Sequence, residues 1–330
     1  MLYVKIGDFM SCYRPLLGKF QGYEDGKPQY KVLPCSGIPA EYPDINVPCG
    51  HCVGCRLDKS RQWADRMMLE LDHSKTAIFV TLTYDPLNVP LACVLDDGSP
   101  LFTLDKRDVQ LFMKRLRKAF PGREIRYYLA GEYGSETHRP HYHAILFGLS
   151  LADFPDVQVV SRNSFGQFLY SSEKMYNIWK LGNVALADVS WQTCAYVARY
   201  CVKKLAVDVS CETFERFNVQ PEFSLMSRRP GIAGFYHLEH PDLISKSKQY
   251  FSDPNGVSPR TSCSTPKFVL EKLKLTNPDL YDKIKLQRQI YARDMEVIAL
   301  SRTDLDFFEY NQVKEYSHER RSKSLSRSSI

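Results

Sequence analysis

Two histidines, His141 and His143, lie two positions apart at the start of an apolar run in "HRPHYHAILFG". Residues i and i+2 of a β-strand share one face of a sheet, so both imidazoles point to the same side and Tyr142 points to the other. Such a pair can bind a metal ion, but histidines that pack in a core produce the same pattern. These residues alone leave both interpretations open.

Glu132, in the preceding stretch "AGEYG", is the residue that favours a metal site. If the two stretches pair as a hairpin, its carboxylate lies beside both imidazoles. Two neutral histidines and one carboxylate leave coordination positions open on a divalent cation, as catalysis requires. We expect this cation to be Mg²⁺ or Mn²⁺. Glu136 and His138, in the connecting turn, are reserve ligands.

Two tyrosines, Tyr196 and Tyr200, lie four positions apart in "AYVARYCVKK". On a helix both phenols leave the same face about one turn apart, and Lys203 and Lys204 continue that side. A phenol has a pKa of about 10, so a phosphotyrosine link to DNA forms and breaks more easily than an ester of an aliphatic alcohol. A lysine would stabilise the phenolate or the transition state. An amphipathic helix with its tyrosines packed on a sheet is the alternative.

Three cysteines in "CGHCVGC", Cys49, Cys52 and Cys55, are spaced three residues apart, which is compatible with three thiolates converging on zinc. The fourth ligand would be Cys35, His51 or a more distant residue. Zinc ribbons usually contain two separated C-x-x-C pairs, and this chain has one such run. Thiols in a tight glycine turn without a metal are therefore the alternative.

Basic side chains suited to DNA phosphates occur in three segments. They are Arg56, Lys59, Arg61 and Arg66 after the cysteines, Arg228 and Arg229 in "SLMSRRPGI", and Arg320, Arg321, Lys323 and Arg327 near the C-terminal end. Solvated charged surfaces have the same composition. We therefore assign no site role to the second and third segments.

Hydrophobic periodicity indicates the elements that hold these residues. The β-branched run from Thr76 to Tyr84 predicts a strand, because it stops at an Asp-Pro turn. The stretch "TLDKRDVQLFMKRLRKAFPG" predicts an amphipathic helix capped by Thr103 or Asp105. The strands of Glu132 and of the histidines follow, then the strand "NVALADV" and the tyrosine helix. This order predicts an α+β domain with an antiparallel sheet covered by helices.

Composition and periodicity divide the chain into four segments. They are a Cys-rich segment of loops and one helix with the possible zinc site (1–75), a core (76–207) with a loop and helix insertion (150–182), an irregular and helical extension (208–312), and a basic tail (313–330). The tail is rich in serine and positive charge, so it is expected to be disordered.

The composition is compatible with DNA binding but does not indicate it by itself. The chain of 330 residues has 44 Lys and Arg against 38 Asp and Glu, a net charge of +6 that gives only a mild attraction to nucleic acid. Neither a signal-peptide pattern nor a run of about 18 apolar residues occurs, so a soluble intracellular protein is expected. The 10 cysteines are then not expected to form disulfides.

The sequence "HRPHYHAILFG" followed by "YVARYCVKK" resembles the HUH endonuclease signature (histidine, bulky residue, histidine) with its two-tyrosine motif. More narrowly, "GEYGSETHRPHYHAILFG", "CGHCVGCRLDKSRQWADR" and "SLMSRRPGI" together resemble the replication initiators of Microviridae, small phages with circular single-stranded DNA, especially the gokushovirus branch. The resemblance covers about residues 45–235. The occurrence of three motifs in this order makes it specific.

This resemblance implies roles for individual residues and a fold. His141 and His143 match the metal-binding pair of the family. Tyr196 and Tyr200 match the two nucleophiles that become linked to a 5′ phosphate, and the two lysines after them match basic positions that assist catalysis. The third ligand varies among HUH enzymes, and strand geometry assigns it here to Glu132. The family fold is a five-stranded antiparallel sheet, similar to ferredoxin and RRM folds, flanked by helices.

The resemblance also implies a biological role. Such an initiator nicks one strand of the circular double-stranded replicative form at the origin, stays linked to the 5′ end, and later terminates and rejoins the strand in rolling-circle replication. Its implied partners are single-stranded and supercoiled double-stranded origin DNA, a host helicase and a host DNA polymerase, in the cytoplasm of a bacterial host. The alternatives are a non-catalytic zinc-containing DNA-binding protein, and an HUH relaxase, transposase or plasmid initiator.

Overall fold

The computed structural model describes residues 12–24, 27–32, 45–134, 137–163, 166–203, 216–244, 249–251 and 261–324. The chain forms two compact units, one of Met1–Lys59 with Tyr281–Arg327 and one of Ser60–Leu280. Within the described part, no helix combines the length and the apolar content that crossing a membrane requires.

Strands and helices are distributed along the chain from Leu16 to Ser324. In chain order they are β1 (Leu16–Glu24), β2 (Lys27–Val32), β3 (Ile45–Val47), α1 (Val53–Ser74), β4 (Ala77–Thr83), β5 (Leu91–Val94), β6 (Pro100–Phe102), α2 (Lys106–Ala119), β7 (Arg126–Tyr133), β8 (Pro140–Phe147), a 3₁₀ turn (Leu151–Asp153), β9 (Gln158–Arg162), β10 (Phe168–Ser171), α3 (Glu173–Trp179), β11 (Val184–Asp188), α4 (Trp191–Lys203), β12 (Phe223–Met226), α5 (Tyr236–Glu239), α6 (Pro241–Ile244), β13 (Gln249–Phe251), β14 (Thr261–Cys263), α7 (Lys267–Thr276), α8 (Pro278–Leu300) and α9 (Phe307–Ser324). The fold is therefore α+β, as the sequence predicts.

A seven-stranded antiparallel sheet is the scaffold of the unit Ser60–Leu280, with the strand order β12-β7-β8-β4-β11-β10-β9. The expected antiparallel sheet is present, but among the described residues it has seven strands instead of five. Strands β9 and β10 form a hairpin within 150–182, where the sequence predicts only a loop and a helix. Their sequences, QVVSR and FLYS, are too short for periodicity to identify a strand.

One face of the sheet packs against α2 and α3. Phe112 and Leu116, four residues apart on α2, are fully buried, and Trp179 of α3 belongs to the same cluster. Asp105 caps α2, because its side chain accepts a hydrogen bond of 2.6 Å from the backbone N–H of Arg107. This residue is one of the two caps that the sequence predicts.

The opposite face of the sheet packs against α1 and α4. Met67 of α1, Phe79 of β4 and Val197 of α4 are almost completely buried in one cluster. Helix α4 begins after Ser190, whose hydroxyl accepts a hydrogen bond of 3.2 Å from the backbone N–H of Thr193. The tyrosine helix therefore lies on the sheet at a defined position.

The segment that follows β12 is anchored by a buried ion pair. Glu70 of α1 and Arg126 of β7 contact each other, and both side chains are almost completely buried. Arg126 also donates hydrogen bonds to the backbone carbonyls of Pro230 and Gly231, at 3.0 Å and 3.1 Å. The second oxygen of Glu70 accepts one of 2.6 Å from the backbone N–H of Ala233. The "SRRPGIA" turn is thus held by charged groups that have partners on every side.

The smaller unit contains the sheet β2-β1-β3 and the helix α9. The sequence predicts only loops and one helix for residues 1–75, so these three strands are a correction. Helix α9 is a second correction, because it extends to Ser324 within the segment 313–330 that composition predicts to be disordered. Most of α9 is polar, but Asn311 and Glu315, four residues apart, are buried on one side of it. Composition alone cannot show such a contact.

Candidate functional site

Pairing of β7 with β8 brings the three predicted metal ligands together. Glu132 is directly opposite His141, and the next position on the same face, Ala130, is opposite His143. Oε1 of Glu132 lies 2.8 Å from Nε2 of His141 and 2.9 Å from Nε2 of His143. One ligand atom from each of the three residues lies within 4.8 Å of the others. The hairpin geometry that the sequence predicts therefore places these groups at one point.

Glu132 is an ionised carboxylate in a nearly dry position. The side chains of Glu132 and His143 are each 3% exposed, and that of His141 is 20% exposed. Burial raises the pKa of Glu132, but hydrogen bonds and charge interactions with the two histidines lower it further, to about 2. The carboxylate is therefore charged at neutral pH, which is the form that binds a cation.

The second nitrogen of each imidazole also has a partner. Nδ1 of His143 lies 3.0 Å from the hydroxyl of Thr81 on β4, and Nδ1 of His141 lies 3.2 Å from the backbone carbonyl of Arg139. These contacts orient both rings so that the Nε2 atoms face Glu132. The sequence analysis does not single out Thr81. Its signal would have been the alternation in "IFVTLT", once β4 was known to pair with β8.

The donor set fits a divalent cation. Two imidazole nitrogens and one carboxylate oxygen converge on a common centre, and this number of ligands leaves further coordination positions for water or a phosphate oxygen. The partial exposure of His141 leaves that side of the group accessible from solvent. The geometry is that of an open site, in contrast to a closed structural one.

Tyr196 is the tyrosine of α4 that lies at this group. Its hydroxyl is 3.4 Å from Nε2 of His143, and the two rings meet edge to face with centroids 5.0 Å apart. Phe79 stacks on His143, with ring centroids 5.6 Å apart, and also touches the ring of Tyr196. The phenol is half-buried. Its hydroxyl therefore lies beside the metal-binding atoms and is not packed away from them.

The other predicted catalytic residues are further along or beyond α4. Tyr200 and Lys203 belong to the helix, one and two turns after Tyr196, but their side chains lie outside what the structure describes. Lys204 lies outside the described residues altogether. Their predicted roles therefore remain predictions.

Tyr142 lies on the opposite face of β8, as the alternation predicts. Its side chain is fully buried in the cluster that faces α2 and α3. Its hydroxyl donates to the backbone carbonyl of Asp105 at 2.9 Å, accepts from the N–H of the same residue at 2.9 Å, and lies 2.8 Å from the hydroxyl of Tyr84. This residue therefore belongs to the core, on the side of the sheet away from Glu132.

Two reserve ligands do not join the group. His138 is an exposed residue in the turn between β7 and β8, with a positive φ of 51°. Glu136 lies outside the described residues. The set that converges is thus the one that strand geometry favours, and the turn contributes no ligand from its described part.

Arg66, a candidate phosphate contact, has a structural role instead. Its guanidinium lies 3.9 Å from the ring centre of Trp63 and 3.8 Å from that of Phe268, and it donates two hydrogen bonds to the carbonyl of Ile232. Burial lowers its pKa to about 10. A side chain held in this way is not available to DNA. Arg228 and Arg229, by contrast, are exposed.

A second convergent group lies in the smaller unit and consists of cysteines. Cys49, Cys52 and Cys55 gather with Cys12, and one sulfur from each lies within 4.8 Å of the others. The sequence analysis proposes Cys35, His51 or a distant residue as the fourth member and does not identify Cys12. Cys35 lies outside the described residues. The one available signal was a cysteine far upstream of the "CGHCVGC" run.

Comparison with known proteins relates the chain to phage replication proteins. Residues 77–205 match the model of the family of replication-associated protein ORF2. The chain is 29% identical to the replication-associated protein ORF2 of Spiroplasma virus 4 over 323 residues, which are 92% of this chain and 95% of that protein. It is 32% identical to the replication-associated protein VP4 of Bdellovibrio phage phiMH2K over 204 residues, 60% of this chain and 59% of that protein.

A third relative gives the same result over a shorter region. The chain is 28% identical to the replication-associated protein ORF4 of Chlamydia phage 1 over 166 residues, 49% of this chain and 39% of that protein. No solved structure gives a significant match. The resemblance to phage replication-associated proteins is therefore confirmed.

Proposed function

We propose that this chain, similar to phage replication-associated proteins, is a replication initiator with HUH endonuclease chemistry. It nicks one strand of the circular double-stranded replicative form at the origin, remains linked to the 5′ end, and later terminates and rejoins the strand in rolling-circle replication. The observation that carries this proposal is the position of the Tyr196 hydroxyl, 3.4 Å from Nε2 of His143. A nucleophile and a metal-ligand set on the same face of a sheet suit attack on a phosphodiester.

The proposed reaction is a transesterification that needs no external oxidant or energy source. The phenol oxygen of Tyr196 forms a bond to phosphorus, and the bond from phosphorus to the 3′ oxygen breaks. The phenol loses its proton and the departing 3′ oxygen gains one, so the products are a 5′ phosphotyrosine and a free 3′ hydroxyl. The number of phosphodiester-type bonds is unchanged, which allows the reverse reaction to rejoin a strand.

The chain's own residues account for the binding and orientation in this reaction. Glu132, His141 and His143 would hold the divalent cation, Mg²⁺ or Mn²⁺, which when bound offsets the charge that develops on the phosphate oxygens. Thr81 and the carbonyl of Arg139 keep the two imidazoles oriented toward that position.

Residues after Tyr196 on α4 complete the proposal. Tyr200 is the second nucleophile, so one tyrosine can hold a DNA end while the other attacks. Lys203 or Lys204 stabilises the phenolate or the pentacoordinate transition state. Host helicase and polymerase then act on the free 3′ hydroxyl and the displaced strand.

The alternative of a non-catalytic zinc-containing DNA-binding protein makes a different structural prediction. It requires the tyrosine helix to serve only as core, with its phenols packed away from the histidines. The half-buried position of Tyr196 at His143 favours the nuclease instead. An HUH relaxase, transposase or plasmid initiator shares the chemistry, and the similarity to phage replication proteins favours the initiator.

The decisive experiment is the search for a covalent protein–DNA adduct. Purified protein is incubated with Mn²⁺ or Mg²⁺ and end-labelled single-stranded oligonucleotides tiled across the genome that encodes it. We expect one oligonucleotide to yield an adduct that survives SDS, together with a shorter product ending in a 3′ hydroxyl. The Tyr196→Phe, Tyr200→Phe double variant should form no adduct.

The matched control is Tyr176→Phe, which removes the hydroxyl of an exposed tyrosine on α3. It should form the adduct at the wild-type level. Absence of an adduct with every oligonucleotide and both metals, or an adduct that persists in the double variant, would contradict the proposed chemistry.

A further inference from the structure

Four cysteine sulfurs meet in the smaller unit, and their arrangement differs from the one that the sequence suggests. Cys12 lies 37 residues before Cys49 in the chain, yet its sulfur accepts a hydrogen bond of 3.2 Å from the backbone N–H of Cys49. The sulfurs of Cys12 and Cys52 are 3.9 Å apart. The six described cysteines all have free thiols.

We propose that Cys12, Cys49, Cys52 and Cys55 bind one structural Zn²⁺ through four thiolates. A zinc–sulfur bond is about 2.3 Å long, so tetrahedral ligation places neighbouring sulfurs about 3.8 Å apart. The observed separation of 3.9 Å for Cys12 and Cys52, and the limit of 4.8 Å for the whole group, agree with a single ion. Iron–sulfur clusters contain several metal atoms and hold their thiolates further apart.

Backbone N–H groups point at the sulfurs, as they do around ligating thiolates. The sulfur of Cys49 accepts from the N–H of Cys52 at 3.3 Å, and the sulfur of Cys52 accepts from those of Cys55 and Tyr13 at 3.4 Å and 3.3 Å. With the bond to Cys12, three of the four sulfurs accept such bonds. Hydrogen bonds to a charged form favour that form, so the backbone is already arranged for thiolates.

The ligand set also indicates the role of the ion. Four protein thiolates complete the tetrahedral coordination of zinc and leave no position for water or substrate. Cys12 and Cys52 are buried, and Cys49 and Cys55 are half-buried. The site is therefore closed and structural, in contrast to the open group at Glu132.

The ion would fix more than the "CGHCVGC" turn, because Cys12 is followed by two residues that contact α9. The hydroxyl of Tyr13 lies 2.6 Å from Nδ1 of His318, and Nε of Arg14 lies 2.6 Å from a carboxylate oxygen of Glu315. Zinc at Cys12 would hold this segment in place and so support the position of α9. Binding of the metal would thus contribute directly to the folding of the smaller unit.

The test begins with the metal content of the wild-type full chain, purified without added metal or chelator. Inductively coupled plasma mass spectrometry should find one tightly held zinc per chain. Replacement by Co²⁺ should give the intense near-ultraviolet absorption of sulfur-to-cobalt charge transfer. Cys12→Ser should lose this zinc, whereas Cys93→Ser, a half-buried cysteine of the other unit, and Cys35→Ser should retain it.

Zinc at the histidines is distinguished by the His141→Ala, His143→Ala double variant, which should keep both the zinc and the cobalt–sulfur absorption. If Cys12→Ser fails to fold, the wild-type cobalt spectrum still decides the question. Wild-type protein without zinc, or cobalt bound without sulfur charge transfer, would overturn the proposal. Loss of zinc in Cys35→Ser with retention in Cys12→Ser would overturn the assignment of the fourth ligand.

Discussion

The hydroxyl of Thr81 lies 3.0 Å from Nδ1 of His143, and the two residues are directly opposite each other on β4 and β8. This contact fixes the orientation of an imidazole whose other nitrogen faces Glu132. Partners of this kind typically change metal affinity by about 10-fold to 100-fold when they are removed. Thr81→Val, which keeps the shape, should therefore weaken Mn²⁺ binding by about this factor, measured by isothermal titration calorimetry.

The control for this prediction is Thr83→Val on the same strand. The hydroxyl of Thr83 donates to the backbone carbonyl of Asn183 at 3.2 Å and contacts neither histidine. It should leave the Mn²⁺ dissociation constant unchanged. Equal weakening by both variants would show that the loss comes from the strand and not from the orientation of His143.

The histidines near the β7–β8 turn can be tested as a pair of unequal members. His141→Ala removes a group within 2.8 Å of Glu132 and should abolish both Mn²⁺ binding and the SDS-resistant adduct. His138→Ala removes an exposed imidazole three residues earlier and should preserve both. A loss of metal binding in His138→Ala comparable to that in His141→Ala would mean that the turn supplies a ligand.

The buried ion pair of Glu70 and Arg126 should be a major determinant of stability. Arg126→Met leaves a buried carboxylate without its partner, and such losses cost about 3–5 kcal/mol. Arg123→Met is the matched control, because Arg123 is 51% exposed in its ion pair with Asp153 and should cost less than about 1 kcal/mol. Urea unfolding measures both values. Equal costs would contradict the buried role of Arg126.

Tyr142→Phe tests the alternation of β8. The variant leaves the buried N–H and carbonyl of Asp105 without their hydroxyl partner and should lower the free energy of unfolding by about 1–3 kcal/mol. Because the ring lies on the other face of the sheet, Mn²⁺ affinity should be unchanged. Weakened Mn²⁺ binding in a stable Tyr142→Phe protein would contradict this separation of the two faces.

The metal-ligand group could be predicted from the sequence because it depends on local rules. A period of two fixes the common face of His141 and His143, and a short connection fixes the pairing that brings in Glu132. The helical spacing after "NVALADV" similarly predicts that Tyr196 lies on a helix beside the sheet. Each of these inferences uses contacts between elements that are close in the chain.

The features that the sequence did not reveal depend on distant contacts. Cys12 joins cysteines 37 or more positions away, and no spacing rule selects it over Cys35. Arg66 has the composition of a DNA contact, but Phe268, about 200 positions later, and Ile232 occupy its guanidinium. The strands β9 and β10 are too short to have a recognisable period. Long-range packing determines all three features.

Strand β8, which carries both histidines, is hydrogen-bonded to β7 on one side and to β4 on the other. Its backbone amides should be among the last to exchange with deuterium, because opening them requires disruption of the sheet interior. The ligands are thus held in place by a ladder that does not depend on the ion. A cation can enter and leave while this ladder stays closed, so metal exchange at Glu132 is not coupled to local unfolding.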